Sequence, residues 1–283
     1  MRIVNHIKEM QAISSALIKE GKSIGFVPTM GYLHSGHMSL VQKSKAENSV
    51  TVVSIFVNPT QFGPNEDLSK YPRDFKKDES LLNEAGVDFV FYPESSEIYP
   101  DGFETFVVQE KISTRLEGEF RPTHFRGVTT IVSILFNAVK PHRAYFGQKD
   151  AQQCAVLNRM VKDLAIDLEM IICPIVREPD GLAMSSRNVY LSETERQDAL
   201  VLSRSLKLAS ELISGGETSV SKIKENATSL YAKVESASLD YFEIVEFDSF
   251  QSAEKLGKGK KYFILVACRI GKTRLIDNYL IQV

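Results

Sequence analysis

Apolar residues along the chain recur with two alternating spacings, one of helices and one of buried strands. Ile7, Met10, Ile13, Leu17 and Ile18 repeat at helical spacing and predict an amphipathic opening helix that Gly21 ends. Ser23 to Pro28 predicts a short buried strand. A loop rich in Gly, Thr and His separates it from a helix beginning near His37, with Leu40 and Val41 inward. Val50 to Val57 is a run of β-branched and apolar residues, the pattern of a strand covered on both faces. Asn58-Pro59 breaks it, and the polar stretch to Arg73 reads as a long loop, a kind more often functional than idle. The alternation continues with a helix at Phe75–Ala85, a strand at Val87–Tyr92 and an apolar helix at Gly127–Val139. A strand at Arg143–Phe146, a helix at Asp150–Leu164 and a strand at Leu168–Val176 follow.

Strand and helix taking turns predicts parallel βαβ units, an α/β Rossmann-like sheet with helices on both faces. Ligands of such sheets gather beyond the carboxyl ends of the strands, so the loops after Val27, Val57, Phe146 and Val176 are the informative ones. The pattern changes after about residue 186. Two helices, Glu193–Ile213 and Val220–Glu235, flank Gly215-Gly216, and three closely spaced strands follow at Tyr241–Phe247, Tyr262–Cys268 and Arg274–Ile281. Segregated helices and strands predict a second, smaller α+β domain. The expected division is a catalytic domain at residues 1–184 and a C-terminal domain at 185–283, for which a lid role is expected.

Composition narrows the field. A formal net charge of −2 and a pI near 6.3 leave no electrostatic footprint for a polyanion, so nucleic acid is not expected as a partner. No secretory pattern opens the chain, and nothing approaches the ~20 consecutive apolar residues of a membrane span. A soluble, cytoplasmic protein without a membrane partner is therefore expected. Cys154, Cys173 and Cys268 are widely spaced in apolar stretches and read as small core residues, not as a disulfide framework or zinc site.

The strongest chemical feature is Pro28-Thr29-Met30-Gly31-Tyr32-Leu33-His34-Ser35-Gly36-His37, between the first long strand and the second helix. Gly31 and Gly36 let the backbone approach a ligand closely, and the helix that follows offers unsatisfied N–H groups to a phosphate. His34 and His37, three residues apart, suit the same anion as hydrogen-bond donors; the competing reading is that one caps the helix and the other is a satisfied core group. Zinc is disfavoured because no Cys or carboxylate lies nearby at ligand spacing, and no metal site is expected. In Phe146-Gly147-Gln148-Lys149-Asp150-Ala151-Gln152-Gln153, Gly147 permits a tight turn and Lys149 is a mobile charge for phosphate. Asp150 or Gln153 suits a hydroxyl. Ala183-Met184-Ser185-Ser186-Arg187-Asn188 offers two hydroxyls and a guanidinium that grips phosphate bidentately. Gln61, in Asn58-Pro59-Thr60-Gln61-Phe62-Gly63, carries a donor and an acceptor for a substrate with hydroxyl and carboxylate groups. For His124 and Arg126, in Arg121-Pro122-Thr123-His124-Phe125-Arg126-Gly127, both an anion-binding and a structural role stay open.

His-x-Gly-His after a first βα turn resembles the HIGH signature of class I aminoacyl-tRNA synthetases and related nucleotidyltransferases, and Met184-Ser185-Ser186-Arg187 looks like their KMSKS-type loop, without its lysine. Taken together, PTMGYLHSGH, VVSIFVNPTQF, THFRGV, YFGQKDAQQ and REPDGLAMSSRN resemble the pantoate–β-alanine ligase family over about Phe26 to Tyr190. The resemblance implies ATP-dependent adenylation of pantoate, then attack by β-alanine with release of AMP. It also implies ATP contacts at Met30, Gly31, His34, Gly36, His37, Gly147, Gln148, Lys149, Asp150, Val176, Met184, Ser185, Ser186 and Arg187. Gln61 and Gln153 would hold pantoate, Gln61 would also lie near β-alanine, and His37 would be the proton donor. A Mg²⁺-dependent homodimer is implied as well. The alternatives are another nucleotidyltransferase with a phosphate-ester acceptor, a small tRNA ligase, and a nucleotide sensor that has lost its chemistry.

Overall fold

The computed structural model describes residues 1–64 and 66–283. The chain divides into two compact units, one of residues 1–148 and 152–174 and the other of 149–151 and 175–283. In the first unit the elements run β1 (Arg2–Val4), α1 (Ile7–Lys19), β2 (Ile24–Thr29), α2 (Ser35–Glu47), β3 (Val50–Ile55), α3 (Phe75–Glu84) and β4 (Phe89–Phe91). They continue with α4 (Ser95–Ile98), α5 (Glu117–Phe120), α6 (His124–Val139), β5 (Arg143–Gly147), α7 (Ala151–Asp163) and β6 (Glu169–Cys173).

All six strands are parallel, in the order β1-β4-β3-β2-β5-β6. Every residue of β3 is buried, as its unbroken β-branched run requires. Successive side chains separate onto two faces. Phe26, Val50, Val52 and Phe146 pack with Met10, Val128, Ile131, Leu135 and Leu157 from α1, α6 and α7. Val27, Val53, Ile55, Val90 and Tyr145 pack with Leu40 and Val41 of α2 and Leu82 of α3. Burying each of these side chains is worth ~1.5–3 kcal/mol, so the two faces together fix the register of the sheet. From β2 the chain steps outward through β3 and β4, but β5 returns to the opposite side of β2. The strand order therefore reverses between β2 and β5, the place where open α/β sheets part their loops around a ligand.

The second unit contains α8 (Glu193–Ser214), α9 (Val220–Thr228), β7 (Ala237–Glu246), β8 (Lys261–Ile270) and β9 (Thr273–Gln282). The three strands form an antiparallel sheet in the order β7-β8-β9, and its apolar face packs with Leu202, Leu206, Ile223 and Ala227 of α8 and α9. Ser192 caps α8 through a reciprocal bond with Glu195, a device worth ~1 kcal/mol. The helix expected over Val220–Glu235 is shorter: α9 ends at Thr228, and Ser229–Lys233 winds as a 3₁₀ turn. The Thr228 hydroxyl donates to the Lys224 carbonyl at 2.8 Å and the Ser229 hydroxyl to Asn226 at 2.7 Å, so side chains bond carbonyls of the last helical turn there. Cys154, Cys173 and Cys268 are buried thiols outside any disulfide.

Candidate active site

The histidine loop leaves β2 at the strand-order reversal. Gly31 (φ +81°) and Tyr32 (φ +52°) adopt left-handed backbone there, turning the chain sharply before α2. The turn is held from beneath: the backbone N–H groups of Tyr32 and Leu33 donate to the two carboxylate oxygens of Asp78, each at 2.7 Å. Asp78 is 1% exposed, and burial pushes its carboxyl above the ordinary carboxylate range against the opposing pull of those two amides. The Thr29 hydroxyl donates to the Ser54 carbonyl and accepts from the Gly31 amide, tying the loop to β3.

His34 is the N-cap of α2 and His37 its third residue. Nδ1 of His34 accepts from the Gly36 amide at 3.1 Å, and Nδ1 of His37 from the His34 amide at 3.4 Å. The two rings lie 4.1 Å apart between centroids. Because both Nδ1 atoms accept, the network assigns the ring protons to Nε2, and each imidazole presents an N–H edge. The capping role expected of one histidine is thus shared by both, and it leaves each ring's Nε2 edge outside the cap.

Gln61 sits in a 3₁₀ turn, Pro59–Gln61, at the end of β3. It is buried, its side-chain N–H lies 3.0 Å from the Met30 sulfur, and its Oε1 accepts from Asn58 at 3.2 Å. Asn58 organises the turn: its Nδ2 also donates to the Gly127 carbonyl, and its Oδ1 accepts from the Thr60 hydroxyl and from Tyr99 at 2.7 Å. Gly127 of α6 lies against the same turn, where a Cβ would come within 2.5 Å of the Thr60 oxygen. His124 and Arg121 both meet the Gln61 carbonyl, at 3.0 and 3.3 Å, and Arg121 also forks onto Glu66. Burial first, then the Arg121 charge, pushes the His124 imidazole down to about 4, so it is a neutral donor to Gln61. Arg126 stacks over the Phe106 ring at 3.5 Å. Gln153 lies in the first turn of α7, half-buried, beside Gln152. Gln152 itself binds the Ile112 and Arg115 carbonyls and the Glu117 amide.

After β5 ends at Gly147, the turn Gln148–Asp150 leads into α7. In the second unit Asn278 of β9 donates to the Lys149 carbonyl at 3.0 Å, and the Lys149 ammonium lies 3.9 Å from the Asp150 carboxylate. Val176 and Met184 pair across a short hairpin, the Met184 amide donating to the Val176 carbonyl at 3.0 Å, with the bend at Gly181 (φ +96°). Inside that hairpin Arg177 forks onto Asp277 at 2.7 and 2.9 Å and reaches the Gly181 carbonyl. Asp277 is 4% exposed, and burial raises its carboxyl in opposition to the lowering by Arg177. Ser185 then caps the 3₁₀ turn Ser186–Tyr190, its Oγ accepting from the Arg187 amide at 3.3 Å.

The first unit thus brings Met30, His34, His37 and Gln61 to the ends of β2 and β3, and the second gathers Lys149, Val176, Met184, Ser185 and Arg187 around β9 and the hairpin. The family model described as pantoate-beta-alanine ligase matches residues 2–280. The chain belongs to the pantoate–β-alanine ligase family. A pantothenate synthetase of Thermotoga neapolitana is 57% identical over 278 residues, which cover 98% of this chain and 99% of the relative. The crystal structure of pantothenate synthetase from Thermus thermophilus superposes with a TM-score of 0.92 at 45% identity, covering 99% of both chains. A pantoate–β-alanine ligase from Francisella tularensis, complexed with β-γ ATP and β-alanine, matches with a TM-score of 0.79 at 38% identity, over 99% of this chain and 97% of that one. These likenesses confirm the parallel sheet and the small antiparallel one as the ligase family's fold.

The residues that brace these loops are not announced by the sequence. Asp78 reaches the histidine loop from α3, Tyr99 bonds Asn58 beside Gln61, and in the second unit Asp277 of β9 pairs with Arg177 of the hairpin. Asn58 braces Gln61 within its own turn. Asn58-Pro59 was visible as a turn, and Arg177 stands beside the Glu178-Pro179-Asp180-Gly181 bend. Asp78 carried no signal, since on a polar helix a carboxylate reads as solvent-facing.

Proposed function

We propose that the chain joins pantoate to β-alanine at the expense of ATP, through a pantoyl adenylate. A pantoate carboxylate oxygen bonds to the α-phosphorus as the bond to the β-phosphate oxygen breaks and diphosphate leaves. The β-alanine nitrogen then bonds to the acyl carbon, AMP departs, and the nitrogen loses its proton. The observation that carries this reading is the capping-box geometry of His34 and His37, two imidazoles with protonated Nε2 at the mouth of a phosphate-friendly helix. Neither step needs a protein nucleophile, so what remains is positioning and stabilisation of charge at the α-phosphate.

In this reading His37, with His34, donates as charge develops on the α-phosphate. Lys149, Ser185, Ser186 and Arg187 neutralise the departing diphosphate. The backbone and side chains of Met30, Gly31, Gly36, Gly147, Gln148, Asp150, Val176 and Met184 bind the nucleotide. Gln61 and Gln153 hold pantoate, Gln61 also serving β-alanine. Mg²⁺ accompanies ATP. Among the described residues no three His, Cys, Asp or Glu side chains stand together to hold a metal. The donors assigned to the phosphates are cations and hydroxyls, a set that fits an ion carried on the nucleotide's own phosphates. Residues 185–283 act as a lid that excludes water, with residues 1–184 as the catalytic domain. The enzyme works in the cytoplasm as a homodimer; among the described residues no helix is long and apolar enough to cross a membrane.

The test is an assay for AMP with ATP, pantoate and β-alanine, omitting each in turn. AMP formation strictly dependent on all three supports the reading, and AMP that forms without pantoate removes it. Small-angle scattering with ATP and pantoate should show compaction, and an unchanged profile would count against the lid.

A further inference from the structure

The amide pair at the start of the histidine loop is built like an anion site. Left-handed Gly31 and Tyr32 turn two successive N–H groups, those of Tyr32 and Leu33, toward one point, and such concave amide pairs ordinarily collect phosphate or carboxylate. Here the point is filled from within the protein by Asp78, one oxygen to each amide at 2.7 Å. The fit leaves little room: a Cβ on Gly31 would lie 3.0 Å from the Asp78 carboxylate and 3.0 Å from Ile55. The charged groups facing Asp78 are Asp74 and Lys77 on its own helix, and Lys77 also sits 5.4 Å from the centre of the Tyr32 ring. The histidine loop contributes amides and an aromatic ring, and β3 contributes Ile55, so among the described residues the carboxylate has no direct cationic partner in that contact.

We propose that Asp78 is a positioning residue for adenylation, whose ionised carboxylate plugs the amide pair and thereby sets the direction in which His34 and His37 present their Nε2–H edges. The proposal rests on the ligase reading above. Two consequences follow from a carboxylate in that place. Substrate phosphate is denied the deeper amides and meets the imidazoles instead. The loop also keeps its left-handed turn without a bound nucleotide, so orientation is prepared before the reaction begins.

Asp78→Asn keeps shape and volume but turns an N–H₂ toward one of the two amides. Pantoate-dependent diphosphate release by this variant should show kcat lowered roughly 10- to 100-fold, with the KM for ATP far less affected. Asp78→Ala leaves a carboxylate-sized gap, and added formate should restore part of its kcat. A folded Asp78→Asn variant with kcat within about twofold of wild type overturns the proposal, as does a folded Asp78→Ala variant that formate does not help. Should neither variant fold, the wild-type protein decides by NMR. The Tyr32 and Leu33 amide resonances should shift together with one carboxyl midpoint as pH falls; amides that move independently overturn it. This last readout needs no activity, so failure of the clamp and failure of the ligase reading are told apart.

Discussion

Two loops in this chain end in a side chain that caps the element it opens, and they are held in different ways. His34 caps a 13-residue α-helix, whereas Ser185 caps a five-residue 3₁₀ turn. The longer helix brings an aligned dipole to the histidine loop, and the short turn brings little, so Ser185, Ser186 and Arg187 must rely on their side chains. The supports differ as well. The histidine loop rests on backbone amides bonded to Asp78 and is joined to the Gln61 turn through Met30. The serine–arginine loop rests on a hairpin pinned by the Arg177–Asp277 ion pair. In the proposed adenylation, the loop fixed through its own amides would hold donors aimed at the transition state, and the loop carried on a side-chain ion pair would hold donors that follow the departing charge.

The sharpest way to break this comparison is at the imidazoles. His37→Ala should lower adenylation roughly 10²- to 10³-fold while ATP affinity changes little, read by pantoate-dependent diphosphate release alongside ATP binding by calorimetry. Comparable losses in both would make the histidine a ground-state ligand. On the other loop, Arg177→Ala strands the buried Asp277 carboxylate and should cost about 3 kcal/mol of stability in urea denaturation. The Gln61 turn adds a pH dependence to the histidine side. His124 is held at about 4 in the fold against an ordinary value near 6.5, so its neutral form is favoured by folding. That contribution is present above about pH 6.5 and is lost as pH falls toward 4, on the order of 3 kcal/mol in all. His124→Asn, which keeps a donor for the Gln61 carbonyl, should flatten the dependence in thermal melts taken across that range. The smallest effect on stability is expected at Ser185→Ala, about 1 kcal/mol at most in urea denaturation, because it removes one cap from a short turn. Diphosphate release should slow as well, since the same hydroxyl is assigned to the departing diphosphate, and an unchanged rate would remove that assignment.

Much of this architecture was legible in the sequence because burial on two faces writes itself as β-branched runs, and α1, α2, α6 and β3 stand close to where those runs put them. What escaped is short or depends on distant partners. β1 has three residues and exists through its pairing with β4, so no periodicity announces it. The expected strand at Leu168–Val176 stops at Cys173, where Pro174 has no N–H to give the ladder. Thr228 and Ser229 ended α9 early through their own hydroxyls. Of the candidate residues, His34, His37 and Gln61 in the first unit and Arg187 in the second could be picked out because loop glycines and strand ends flag them. Asp78 could not, since its meaning comes from amides 45 and 46 residues away. The sequence also left His124 open between ligand and scaffold; its two ring contacts, to the Gln61 carbonyl and Arg121, make it scaffold.

The most direct test of the central claim, that helix capping turns His34 and His37 into oriented Nε2–H donors, is nitrogen NMR of the histidine-labelled protein at neutral pH. The account predicts that both rings carry their proton on Nε2, with Nδ1 unprotonated. A proton on Nδ1 of either ring would contradict it.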